Sequence, residues 1–581
     1  MSATADGLPA VNPEDSDLGE ADGVSSTEGS VGFVRPARVA AAPGTAAADR
    51  IAQLRARLIT PMPDDGIWGW FWPLLITVFA GISRFIRLSK PDAVIFDETY
   101  YAKDAWSILK HGVEWKWLGP PQYSVNYANN QIVGGHFSEH LFQACSGTGC
   151  GEYVVQPEVG KLLIAVGEWL YGLTTMGWRF ASAVFGTLAI LVMCRVARRM
   201  TRSTLLGCTA GLLLSLDGLE FVLSRTGILD IFLMFFLLAS FAALIVDRDV
   251  SRAKLAELVV LEPGDASGPG LGIRKWRVIA GIMLGLACAS KQYAFWYVFA
   301  FAGLCIAWDL GARRAVGLRG CRRGAWVRDG KWLPVTLGVI PLVTYVLTWM
   351  NWFVTNTGYD RDYAQQHGIN IPVISQLYSL YEYHREMVQF GVGLSVPHPY
   401  ESQPWDWFVI SRPVSFYWVS YKDAAGLHPE PPKVVGPYAS EVLAIGNPAI
   451  WWISIPVLAF CLFWWLTRRD WRAGTALLCI AAGWATWLPF VSRTKFYYYA
   501  LEFEPFIIIC IVLCLGLILG PAAASARRRT TGALICGAYV LAVLVLFWYF
   551  YPILTGKVIP YTDWLAHMWY RGFLGPALGW V

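Results

Sequence analysis

Long apolar runs separated by short charged turns fill most of this chain. Eleven runs stand out, at 67–87, 178–196, 205–219, 228–246, 278–290, 293–308, 332–353, 448–466, 474–490, 496–519 and 532–551. Crossing ~30 Å of hydrocarbon takes a helix of about 20 apolar residues. The pattern therefore predicts an all-α polytopic membrane protein with about 11 transmembrane helices. The runs at 278–290 and 293–308 are short and nearly continuous, which predicts a tight pair. A further run, 161–171, is too short to cross. It carries Lys161 and Glu168, so it predicts a helix lying in the interface.

Four stretches break the alternation. Residues 88–176 and 354–447 predict two large loops, and 552–581 a nearly uncharged aromatic tail. Residues 1–48 are rich in Ala, Gly, Ser, Asp and Glu, with Phe33 as their one aromatic, and are expected to be disordered. They lack the basic-then-apolar order of a signal peptide. A polar insertion is expected at 247–275. Spans one to seven then occupy 49–353, and spans eight to eleven 448–551.

The basic residues give the runs a direction. Arg50, Arg55 and Arg57 precede the first run, and Arg195, Arg198, Arg199 and Arg202 close the second. Seven Arg and Lys residues from Arg313 to Lys331 follow the sixth, Arg468, Arg469 and Arg472 the eighth, and Arg527-Arg528-Arg529 the tenth. Loop Lys and Arg favour the cytoplasm, so the N-terminus is expected there. With eleven spans, all these clusters fall inside. Both large loops and the tail fall outside. One miscounted span would invert everything after it.

Composition agrees. Charged residues make up 15% of the 581, against about 25% in soluble domains. The chain holds 29 Trp, 26 Tyr and 30 Phe, a load suited to interfacial belts, and its mean hydropathy is +0.42. Most of the 12 Cys lie in apolar runs as packing residues. Cys145 and Cys150 share a polar loop, and a disulfide between them is open only if that loop is extracytoplasmic. No His, Asp or Glu cluster has metal-ligand spacing, so no metal or other cofactor is expected. No Walker pattern points to a nucleotide-driven pump, and no nucleic-acid partner is implied.

Candidate chemistry centres on Phe96-Asp97-Glu98-Thr99-Tyr100-Tyr101-Ala102-Lys103-Asp104, just after the first run. An adjacent acidic pair there can be merely solvated or salt-bridged. It also suits a transferase that uses a lipid-linked phosphate sugar at the membrane surface. Such an enzyme needs a carboxylate to take a hydroxyl proton and a cation to hold the departing phosphate. Arg179, at the start of the second run, fits either a phosphate contact or a snorkelling anchor. Arg225 and Asp230 stand where ionisable groups are costly unless paired or functional, and are expected to pair with each other. Lys291 lies between runs five and six. Arg493 and Lys495 precede Phe496-Tyr497-Tyr498-Tyr499, a combination that fits a lipid-phosphate site and equally an anchored aromatic belt. His367 and His398 are lone histidines, better suited to surface or hydrogen-bonding roles than to metal ligation.

Several motifs together resemble the protein O-mannosyltransferase family. They are Phe96-Asp97-Glu98 with Tyr100-Tyr101-Ala102-Lys103-Asp104-Ala105, Pro157-Glu158-Val159-Gly160-Lys161, Trp178-Arg179-Phe180-Ala181, Ser224-Arg225 with Ile228-Leu229-Asp230, and Ser290-Lys291-Gln292-Tyr293. His398-Pro399-Tyr400, Pro404-Trp405 and Arg412-Pro413 resemble the large-loop pattern of its actinobacterial branch. The resemblance runs in order over about residues 67–575. It departs at Gln156, where the family commonly has His; Gln carries no charge at neutral pH, which leaves the proton work to the carboxylates.

The resemblance implies a GT-C fold and mannose transfer from polyprenyl-phosphate mannose to Ser or Thr hydroxyls of secreted, unfolded polypeptides. It implies Asp97 as base in one inverting displacement and Glu98 as an orienting group. Arg179, Arg225, Asp230, Lys291, Arg493 and Lys495 would serve the lipid phosphate, and Gln156, Lys161, His398 and Arg412 the acceptor or the loop frame. It implies a plasma-membrane location beside the bilayer's outer surface, and association with the Sec translocon. Two other readings stand beside it: a GT-C enzyme moving another sugar or using a glycolipid or glycan acceptor, and a lipid-linked sugar flippase. The flippase is disfavoured by the missing internal repeat and by carboxylates at the surface, not the midplane.

Overall fold

The computed structural model describes residues 43–119, 123–124, 126–136, 141–143, 147–423, 436–570 and 579–580. Helix α1, Pro43–Leu58, starts inside the stretch expected to be disordered, whose residues 1–42 lie outside the described set. Each of the eleven apolar runs carries a helix: α2 Trp68–Phe85, α5 Thr175–Thr201, α6 Thr204–Ser215, α7 Asp230–Leu261, α8 Lys275–Cys288, α9 Trp296–Ala315, α10 Cys321–Leu347, α12 Pro448–Arg468, α13 Trp471–Trp484, α14 Glu504–Leu519 and α15 Ala526–Leu554. Between them lie α3, Glu98–His111, α4, Glu158–Tyr171, and α11, Ile374–Gly393. Among the described residues, six helices are long and apolar enough to cross a membrane.

Two boundaries differ from expectation. Helix α7 runs on to Leu261, through half of the expected polar insertion, because Asp247, Arg248 and Asp249 are all held by charged partners. Helix α14 starts only at Glu504, with Pro505 in its first turn, where a missing N–H costs nothing. The preceding Tyr497–Glu502 forms a tighter 3₁₀ turn across the helix end. The all-α expectation also omits a small antiparallel sheet, β1 Val414–Tyr421, β2 Tyr438–Ala444 and β3 Ile559–Pro560, ordered β1-β2-β3. It joins the large loop to the tail, and the Trp564 indole donates to Glu441 on β2 at 2.6 Å.

Contacts confirm that the helices alternate in direction. The ends of α5, α9 and α12 meet the start of α2, the second half of α7 and the start of α13: Arg198 bonds Asp65, Arg202 bonds Asp249, Arg248 lies over Trp308 and Trp471, and Arg472 lies over Trp464. This is the basic end. The opposite end gathers the close of α2, the start of α5, residues 217–230, Lys291 and the 497–504 turn. Arg84 and Glu220 form a fully buried ion pair there. Helices α3 and α4 pack together at that end, and α7, buried on nearly all sides, runs through the bundle centre.

Candidate active site

Asp97 sits at the start of α3, and the turn before it is strained. Phe96 holds φ +46°, a left-handed conformation uncommon outside glycine. Its ring is held by stacking on Phe416 at 4.5 Å and by edge contacts with Phe496 and Tyr498. Phe416 reaches this position from an irregularity in β1 between Ser415 and Tyr417, the kind of bulge that redirects a side chain.

Glu98, expected as an orienting group, is turned inward rather than toward a substrate. It is fully buried, and both oxygens are taken. Oε1 accepts from Arg179 Nε at 2.7 Å and the Gly227 amide at 2.9 Å; Oε2 accepts from Arg179 Nη2 at 2.9 Å and the Ile95 amide at 3.0 Å. Arg179 is likewise used up. Its remaining donors reach the carbonyls of Leu88, Pro91 and Ala93 at 3.2, 2.9 and 2.9 Å. The pair pins the Asp97 turn to α5 and to the 224–229 segment. A bidentate guanidinium–carboxylate pair of this kind is among the stronger polar links.

Arg225 does not pair with Asp230. Its guanidinium donates to the carbonyls of Ser83, Arg84, Ile86 and Arg87. It thus caps the C-terminal end of α2, where helical carbonyls lack partners and the dipole favours a cation. Asp230 instead accepts from Lys291 at 2.8 Å and from the Tyr293 hydroxyl at 3.2 Å.

The Lys291 ammonium lies 5.8, 5.7 and 5.4 Å from the ring centres of Tyr293, Tyr498 and Tyr499. An aromatic cage of this sort stabilises a desolvated cation. Tyr498 also donates to Asp97 Oδ2 at 3.3 Å. Asp97, Lys291, Asp230 and Tyr498 thus form one cluster. Burial, the largest influence, pushes the partly exposed Asp97 carboxyl up to about 6, with Asp230 adding to the rise and Lys291 and Tyr498 opposing it.

Arg493 flanks the same cage. Its guanidinium carbon is 5.0 Å from the Trp487 ring centre and 5.8 Å from that of Tyr499, with Nε on the Gly391 carbonyl and Nη1 on that of Thr494. Lys495 turns away from the cage. It is buried, and its ammonium donates to the carbonyls of Phe490, Val491 and Arg493.

The remaining predicted residues lie elsewhere. Lys161 is buried between Glu114 and Glu158, in a separate charged cluster of α3 and α4 that also holds Asp104. Burial and Glu114 push the Glu158 carboxyl up to about 8. Gln156 is partly exposed in the turn before α4. His398 rests edge-on against Phe496 at 5.0 Å and accepts from the Tyr400 amide. Arg412 ties the Pro399 carbonyl to that of Gly579 in the tail. Cys150 is disulfide-bonded; Cys145, its expected partner, lies outside the described residues. Among the described residues, no three His, Cys, Asp or Glu side chains are placed to hold a metal.

Sequence reasoning missed Phe416, and it quoted Tyr293, Tyr498 and Tyr499 within motifs without giving any of them a role of its own. For the tyrosines a signal existed, since Lys291 is two residues from Tyr293 and Lys495 opens the Phe496–Tyr499 run. Phe416 had none, because only the sheet brings it to Phe96.

Comparison with known proteins matches both halves of the chain. Residues 74–351 match the family model of dolichyl-phosphate-mannose-protein mannosyltransferase, and 376–573 that of the C-terminal four-helix transmembrane region of protein O-mannosyltransferase. The chain is 37% identical over 520 residues to the polyprenol-phosphate-mannose–protein mannosyltransferase of Mycobacterium tuberculosis, covering 87% of this chain and 92% of that one. It is 32% identical over 534 residues to the protein of the same description from Corynebacterium glutamicum, covering 89% and 96%. Among solved structures, the S. cerevisiae protein O-mannosyltransferase complex bound to its sugar donor aligns with a TM-score of 0.61 and 14% identity, over 88% of this chain and 92% of that one. At that identity the likeness is one of fold.

Proposed function

The chain belongs to the protein O-mannosyltransferase family, and from that premise we propose that it moves mannose from polyprenyl-phosphate mannose to Ser or Thr hydroxyls of polypeptides, with Asp97 as the base. The observation that carries this reading is the Asp97–Lys291–Tyr498 cluster. It puts a partly exposed carboxylate beside a caged cation, on a turn that Glu98 and Arg179 hold in place.

A Ser hydroxyl is a weak nucleophile at neutral pH. A base whose pKa lies near the working pH serves it best, being mostly ionised yet basic enough to take the proton. Asp97, held near 6, meets both demands. In the displacement the acceptor oxygen bonds the anomeric carbon as the bond to phosphate breaks. The hydroxyl proton passes to Asp97, polyprenyl phosphate leaves, and the anomeric centre inverts. Lys291 and Arg493, on either flank of the Tyr499 contact, are the cations that would meet the growing phosphate charge. Asp230 and the cage hold Lys291 in position. Glu98, Arg179 and Arg225 are positioning residues that shape the Asp97 turn from behind.

The positive-inside pattern supports an extracytoplasmic position for this end of the bundle, at the plasma membrane. There it would meet acceptors still unfolded, as they leave the Sec translocon. The test uses membranes holding the full chain, labelled polyprenyl-phosphate mannose and a Ser/Thr-rich acceptor peptide. Labelled peptide is expected, and none with Asp97→Asn. Labelled glycolipid in place of peptide, or full activity of Asp97→Asn at normal expression, would overturn the reading.

A further inference from the structure

Helix α11 has two faces, and only one is covered by protein. Ser379, Leu380, Tyr383 and Met387 are buried, packed on a cluster with Val154, Trp349 and Trp352. Ile374, Leu377, Tyr381, Val388 and Val392 are 54, 45, 61, 52 and 54% exposed. At 3.6 residues per turn these five fall within an arc of about 60°, opposite the buried set. An exposed apolar stripe opposite the packed face of a helix calls for a partner.

The helix is held at a definite depth. His384 Nε2 is 2.6 Å from the Tyr345 hydroxyl, in the last turn of α10, and its ring is 4.8 Å from that of Trp349. Met387 meets Gln292, at the start of the segment leading into α9. So α11 crosses the ends of two membrane-spanning helices. The apolar residues on the outside of α10 remain exposed through and past that level: Leu347 is 57%, Met350 49% and Val354 72% exposed. The stripe thus continues a surface that already faces lipid. Arg385 stands within the stripe, half-exposed and paired with Glu382 at 2.6 Å. A long cationic stem among apolar residues suits a snorkelling side chain at the headgroup level.

We propose that α11 is an in-plane anchor whose Ile374–Val392 stripe is embedded in the leaflet on the active-site side of the bilayer. Its far end is bonded to the segment that carries the cage: Gly391 accepts from Arg493, and Leu394 from the Thr494 amide at 2.9 Å. The anchor fixes the height of Lys291, Tyr498 and Tyr499 relative to the membrane surface. A donor whose phosphate stays with the headgroups while its polyprenyl chain stays in the hydrocarbon needs a site at that height.

The test is photocrosslinking of the full chain in nanodiscs of phosphatidylethanolamine and phosphatidylglycerol. p-Benzoylphenylalanine replaces Tyr381 in one variant and, as an aqueous control, the exposed His367 in another. A phospholipid-mass adduct at 381 and none at 367 is the expected result. Absence of lipid adduct at 381, or its replacement by a peptide adduct when acceptor peptide is added, would overturn the proposal; the latter would make the stripe an acceptor groove. The readout needs no transferase activity, so it is independent of the assignment of Asp97. A second variant, Leu377→Asp with Val388→Asp, should raise KM for the lipid donor in bilayers at least fivefold and leave KM for a soluble acceptor peptide unchanged. An equal rise in both would count against the anchor.

Discussion

The two ends of the bundle treat buried charge differently. At the basic end, Arg274 and Arg277 share Asp247 and Asp309 through four contacts of 3.0–3.5 Å. Arg313 meets Asp329 at 2.7 Å and also takes the carbonyls of Ser267 and Pro269. Every acid in that network has a cation against it, and the network joins α7, α8, α9 and α10. At the opposite end, Glu98–Arg179 is closed in the same way. Asp97 is not. Its carboxylate holds one 3.3 Å hydrogen bond from a phenol, and Lys291, the cation acting on it, is committed to Asp230. A saturated network fixes helices; one that stops short leaves capacity for a substrate.

Exchanging the two kinds of carboxylate breaks the comparison most sharply. Asp97→Asn is expected to lower the transfer rate about 10²–10⁴-fold, with thermal stability unchanged, in single-turnover mannosyl transfer by proteoliposomes. Asp309→Asn should do the reverse. It leaves Arg274 and Arg277 under-compensated, costs stability of about 3–5 kcal/mol, and leaves the rate of the surviving folded enzyme near wild type. A rate loss of equal size in both would erase the distinction.

Lys291→Met tests the cation. The rate should fall about 10²–10³-fold, the scale of losing one transition-state charge partner. The pH profile adds a sign. In the wild type the rate falls as pH drops through about 6, because protonated Asp97 is no longer a base. Lys291 holds the Asp97 pKa down, so its removal should move the acidic limb of the residual rate to higher pH. A limb that stays in place would separate Lys291 from Asp97.

Smallest is Tyr498→Phe, which removes one hydrogen bond of about 0.5–1.5 kcal/mol. A rate loss of about 2–10-fold is expected. The acidic limb should again move upward, since that bond also lowers the Asp97 pKa. Glu98→Gln separates positioning from chemistry at the same turn. It weakens the hold on Arg179, so stability and rate should fall together, with the acidic limb unmoved.

Much of this was legible in the residues. The apolar runs located eleven helices, six of them long and apolar enough to cross a membrane, because backbone among apolar surroundings must pair internally. The basic clusters marked the helix ends that gather together, and the Phe96-Asp97-Glu98 turn was singled out from its setting and its family resemblance. The roles within that turn were not legible. Asp97 and Glu98 are neighbours of like chemistry, yet one is exposed toward the cage and the other is enclosed by Arg179 and the amides of Ile95 and Gly227. Arg179 and Arg225 looked like phosphate ligands; Arg179 is spent on Glu98 and backbone carbonyls, Arg225 on backbone carbonyls alone.

By itself, then, the sequence determined where the apolar helices lie along the chain and which short turn holds candidate acids. Those properties are local: they follow from the solvent each residue meets and from its near neighbours along the chain. Only the tertiary structure decided which acid is available. That depends on whether carbonyls, amides and cations from residues 84–93, 179, 227, 291 and 498 arrive to saturate it. Hydrogen-bond capacity is filled by whatever the fold brings within 3 Å, and no pattern along the chain records that.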